Sequence, residues 1–158
     1  MRKNLLKVSL AACCAIVLSS SVALAAENWL GTWNVDLAKS KYSPGPAPKS
    51  FTAKFEATQG GIKFTGDGVG ADGKPNKSMF LSKFDGKDVP YEGNPDADTA
   101  APRKIDDNSY SNAWKKGGKA TVTAKVVVSA DGKTMTITQT GTNAKGEAVA
   151  NAIVYNKQ

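Results

Sequence analysis

Residues 120–155 narrow the possible folds more than any other stretch. Ala120, Val122, Ala124, Val126 and Val128 fall on one side of a two-residue alternation, the pattern of a strand with one buried face. Asp131-Gly132 then supplies a hairpin turn, and Met135-Thr136-Ile137-Thr138-Gln139-Thr140 returns the chain. Lys145-Gly146 turns it again, and 149–155 forms the last strand. Two consecutive hairpins leave no residues for a helical crossover, so the strands must pair antiparallel.

The same grammar runs through the preceding hundred or so residues. In 29–37, Trp29, Gly31, Trp33, Val35 and Leu37 share one face, while Thr32, Asn34 and Asp36 take the other. The following connector holds Pro44, Pro46 and Pro48; alternate prolines cannot donate to a ladder, so an extended connector or an edge-covering arm is expected. Phe51, Ala53, Phe55 and Ala57 alternate next, Gly60-Gly61 turns, and Ile62-Lys63-Phe64-Thr65 returns. The glycine-rich run 66–74 reads as a strand end and a turn, because no hydrophobic helix follows it as a phosphate-binding loop requires. Further strands are expected at 79–84, 88–91 (an edge or bend, because of Pro90), 101–106 and 110–114, with 92–98 as a loop of turn formers. No segment keeps a helical period over more than two turns.

The expected fold is therefore all-β, an antiparallel up-and-down meander of about eight to ten strands. A barrel and a β-sandwich both fit; hairpins in sequence order favour closure into a barrel. In that arrangement 29–37 pairs with 149–155.

The first 25 residues do not belong to this pattern. A basic start (Arg2, Lys3, Lys7), an apolar run from Val8 to Leu18 and the small-x-small Ala23-Leu24-Ala25 have the form of a signal peptide cleaved after Ala25. The expectation is a signal at 1–25, one domain at 26–158, and export to a periplasmic or extracellular location without stable membrane insertion. Leu10-Ala11-Ala12-Cys13 also resembles a lipoprotein cleavage box, but it would leave only about five apolar residues after Lys7, short for a signal core. Cys13 and Cys14 are adjacent and both lie in this segment, so no structural disulfide is expected. Losing Arg2, Lys3 and Lys7 lowers the formal net charge from +7 to +4.

Several chemistries are excluded by what is missing. The chain has no histidine, and no cysteine follows residue 25. That removes Ser-His-Asp and Cys-His nucleophilic machinery and the usual zinc and haem ligands. The four glutamates lie near turns, at the N-terminus or on polar strand faces, so no paired-acid cleft is indicated. Enzyme activity and a cofactor are not expected. Asp96 and Asp98 with Asn94 lack the acidic array of a calcium loop and read as Asx turns, so no metal site is assigned. Scattered lysines and one arginine after residue 25 give nucleic-acid binding no support.

Gly31-Thr32-Trp33 resembles the Gly-x-Trp that opens the first strand of lipocalins and fatty-acid-binding proteins, where the tryptophan closes one barrel end. The longer run from Gly31 to Pro48 is similar to a set of small secreted bacterial proteins described as lipocalin-like. So are Phe84-Asp85-Gly86-Lys87, Gly93-Asn94-Pro95-Asp96-Ala97-Asp98 and Val128-Ser129-Ala130-Asp131-Gly132-Lys133. The resemblance implies a calycin-type barrel with Gly31 and Trp33 at its closed end, binding a small hydrophobic or anionic amphipathic ligand. Phe80, Tyr91, Tyr110, Trp114 and Tyr155 are then candidates for the ligand wall, their aromatic faces apolar and several tips polar. Arg103, sharing a strand face with Ile105, is the candidate clamp for an anionic headgroup. The alternative is a filled, ligand-free envelope domain that binds or inhibits an unidentified protein through an exposed apolar patch or a bare edge near Pro44–Pro48.

Overall fold

The computed structural model describes residues 27–158; the expected signal peptide, its cleavage point and Cys13 lie outside them. Ten strands are present: β1 (Gly31–Lys41), β2 (Ser50–Thr58), β3 (Gly61–Val69), β4 (Pro75–Ser82), β5 (Val89–Pro90), β6 (Thr99–Lys104), β7 (Ser109–Lys116), β8 (Lys119–Val128), β9 (Thr134–Thr142) and β10 (Ala148–Lys157). They form one sheet in the order β4-β3-β2-β1-β10-β9-β8-β7-β6-β5, every pairing antiparallel. No helix occurs among the described residues.

The first and last strands pair as expected, Trp33 opposite Lys157 and Val35 opposite Tyr155. The sheet's free edges are instead β4 and β5, and two isolated bridges draw the gap shut: Met79 of β4 with Glu92 just after β5, and Asp85 just after β4 with Arg103 of β6. Met79 and Glu92 exchange both backbone bonds, at 3.0 and 2.9 Å, and Lys104 N–H donates to the Phe84 carbonyl at 2.9 Å. The result is a nearly closed barrel rather than a sandwich. Gly93 makes the seam possible: its φ is +73°, and a Cβ there would overlap the Lys77 carbonyl of β4.

One end is solid. Trp29, just before β1, stacks on Phe84 at 5.8 Å and meets Tyr110 at 5.2 Å. Trp33 is fully buried, its indole N–H donating to the Trp29 carbonyl at 2.8 Å and its face covered by the Lys157 ammonium at 5.0 Å. Gly31 lies beside the Lys157 side chain at the same end. From this floor aromatics climb the wall: Phe84 to Phe80 at 6.3 Å, Phe80 to Tyr91 at 5.4 Å, Tyr91 to Trp114 at 5.7 Å. Each such contact adds about 0.5–1.5 kcal/mol beyond area burial.

Alternation fails where strands bend or run past the barrel. Leu37, expected inside, is 38% exposed, because the β1–β10 register shifts between Asp36 and Lys41. Ala57 and Ala120 share their strands' inward parity but sit exposed at hairpin tips. The fourth strand begins earlier than the sequence pattern suggests, at Pro75, and Phe84 lies beyond its end with φ of +57°.

Candidate functional site

The opposite half of the barrel is not filled. A cavity of about 380 Å³ lies above the aromatic floor, within the size range of small-molecule sites. Its wall is built by two-residue alternation on six strands: Phe64 from β3, Asn76 and Ser78 from β4, Tyr110, Asn112 and Trp114 from β7, Ala124 and Val126 from β8, Ile137 and Gln139 from β9, Ile153 and Tyr155 from β10. Asn112 and Ala124 are register partners, so the smallest wall residue faces the cavity beside a buried amide. Phe51 completes the wall, and Pro46, Pro48, Gly70, Ala71, Asn94, Pro95 and Asp96 rim the mouth.

All four tyrosines of the chain, Tyr42, Tyr91, Tyr110 and Tyr155, line this one space. Burial raises the phenol pKa at each of them. The shift is large at Tyr110, where Tyr91 and Tyr155 nearby add to it; at Tyr91 contacts with Asn94 and Ser78 pull partly the other way. The hydroxyls therefore remain neutral, able both to donate and to accept. Two further polar atoms of the wall, Asn112 Oδ1 and Trp114 Nε1, are buried without a hydrogen-bond partner. Among the described residues, Asp96 is the only charged one in the lining.

The mouth is held by specific bonds. Ser43 N–H donates to Asn151 Oδ1 at 2.8 Å and its carbonyl accepts from Ala150 N–H at 2.7 Å, which lays the proline arm across the β10 side. The 92–98 loop is stapled to the neighbouring hairpins: Asp96 accepts from Ala144 N–H at 3.0 Å, and Asp98 from Gly117 N–H at 2.8 Å. Asn94 Oδ1 accepts from Asp96 N–H at 2.8 Å, the expected Asx turn. No metal-binding group of His, Cys, Asp or Glu occurs among the described residues.

Of the sequence candidates, Tyr91, Tyr110, Trp114 and Tyr155 come together on the cavity. Phe80 points inward but lies beneath the cavity, stacked on Phe64 at 4.9 Å and 2% exposed. Arg103 does not belong to the site. Its register partner is Ser111, whereas Pro102 pairs with the inward-facing Asn112; Arg103 is exposed on the outer face, its side chain along Gly86. Ile105, 55% exposed, lies outside with it. Sequence reasoning did not assign Asn112, although it alternates with Tyr110 and Trp114. Gln139 likewise alternates with Met135 and Ile137, whereas Tyr42, Pro46 and Pro48 carried no such signal.

The fold and site thus define a nearly closed antiparallel barrel, solid at one end and hollow at the other. No family model matches the chain, and no curated protein matches it in sequence. Among solved structures it is similar to the zebrafish ileal bile acid-binding protein complexed with cholic acid, at 12% identity and a TM-score of 0.47, over 83% of this chain and 99% of that one. The fold assignment rests on this chain's own strand pairing.

Proposed function

We propose that the protein is an exported carrier that holds one small hydrophobic or amphipathic molecule inside its barrel. The observation that carries this reading is the unfilled upper half: a mainly aromatic and aliphatic wall with a few polar tips encloses about 380 Å³, space for roughly a dozen waters or one small organic molecule. A purely structural domain of this size would be expected to fill its interior to crystalline density, as the floor around Trp29 and Trp33 is filled. The ligand-free alternative, acting through its surface, predicts a solid core and has no use for this space. Export rests on the form of residues 1–25.

Non-denaturing mass spectrometry and solvent extraction of the protein recovered from the envelope of the cells that make it test both parts. The expected result is a mature chain beginning near residue 26 with one small molecule bound. A bare chain in every preparation, with nothing in the extract, refutes the carrier reading.

A further inference from the structure

Resting on that carrier reading, we infer that the site selects uncharged amphipaths, molecules with an apolar body and a neutral hydroxyl or amide edge, and rejects anionic ones. This departs from the anionic headgroup that Arg103 suggests in the sequence.

Among the described residues the wall contains no lysine or arginine, and the chain contains no histidine. A carboxylate brought inside would lose its hydration with no cation to replace it, which is far more costly than burying a hydroxyl. The polar groups that are present suit a neutral partner. Asn112 is 5% exposed and its Oδ1 is an acceptor with nothing to accept from. Trp114 Nε1 is a donor with nothing to donate to. Buried atoms of this kind are destabilising until a partner arrives. A bound hydroxyl that displaces the wall atoms covering them can donate to the first or accept from the second, and a ligand with two polar groups can satisfy both. A carboxylate can only accept, so Asn112 Oδ1 would stay unpaired beside a second buried acceptor. Burial keeps the tyrosine hydroxyls neutral as well, so they add dipoles and no charge.

Outside the cavity, a depression sharing Gly70, Asn76 and Pro95 with the mouth holds Lys74 and Lys77. These are engaged by Asp72 at 3.6 Å and Asp67 at 3.4 Å, and both are exposed.

The test compares 1-pyrenemethanol, 1-pyrenecarboxylate and unsubstituted pyrene by fluorescence titration at neutral pH. The expected result is saturable 1:1 binding with the alcohol at least tenfold tighter than the carboxylate. Asn112→Leu and Trp114→Phe should each weaken the alcohol several-fold and leave pyrene unchanged, which separates loss of a polar contact from loss of the fold. A carboxylate that binds as tightly as the alcohol overturns the inference and leaves the carrier reading intact. If that affinity disappears in Lys74→Ala/Lys77→Ala, the headgroup is held at the mouth instead. Failure of all three probes, pyrene included, overturns the carrier reading and this inference with it.

Discussion

Filling the cavity from its own wall should stabilise the protein while removing its capacity for ligand. Ala124 is 3% exposed, lies mid-strand in β8 and faces the empty space. Ala124→Ile adds three carbons and a β-branched side chain suited to a strand. Burying them is worth about 2.4 kcal/mol at roughly 0.8 kcal/mol per carbon. Ordering the new side chain costs about 0.5–1 kcal/mol. The expected outcome is a gain of about 1–2 kcal/mol, a rise of roughly 4–6 °C in Tm for a domain of this size. Urea and thermal unfolding followed by tryptophan fluorescence read the effect, and a pyrene titration reads the lost capacity. In a close-packed core the same substitution overpacks and costs about 1–3 kcal/mol. A loss of that size, with ligand capacity unchanged, would refute the hollow interior.

Other outcomes follow from the same geometry. Gly93→Ala, at φ +73° and against the Lys77 carbonyl, should destabilise by about 2 kcal/mol or more, whereas Gly146→Ala, with open space around its Cβ position, should cost about 1–2 kcal/mol from its positive φ alone; urea midpoints compare them. Trp33→Phe removes the donor to the Trp29 carbonyl and should cost about 1–3 kcal/mol, since that carbonyl is left buried and unpaired. Because burial raises the phenol pKa of Tyr110 and Tyr155 in the folded state, their contribution to stability is complete below the unfolded value near pH 10. It declines as pH rises beyond that, by about 1.4 kcal/mol per pH unit for each. Ultraviolet titration should show these phenols ionising together with unfolding, and Tyr110→Phe/Tyr155→Phe should flatten the decline. Arg103→Ala should change neither ligand affinity nor stability by more than about 0.5 kcal/mol, as measured by the same titrations.

How far residues announce their place depends on how local the cause is. Val122, Ala124, Val126 and Val128 are legible because one face of β8 is buried along most of its length, and a one-residue slip would expose all four. The same parity put Tyr110 and Trp114 on the cavity, and it would have put Asn112 there had its amide been weighed. Arg103 misleads because the apolar Ile105 two residues on suggests an inward face. Ile105 has already left β6 for a hairpin, and Pro102 takes the inward place opposite Asn112. Leu37 misleads because the register shift after Asp36 is a tertiary event that no local pattern encodes. The seam of β4 with β5, and the proline arm over the mouth, depend on Met79–Glu92 and Ser43–Asn151 contacts between distant segments. Tyr42, Pro46 and Pro48 therefore join the site only once the chain has folded.

Whether a ligand lies inside the barrel is read by amide chemical-shift mapping with 1-pyrenemethanol. Saturating 1:1 shifts are expected on the cavity strands around Tyr110, Asn112, Trp114, Ala124 and Tyr155, with the floor around Trp33 undisturbed. Shifts confined to outward positions such as Leu81 and Val127, or no saturable shifts at all, would contradict it.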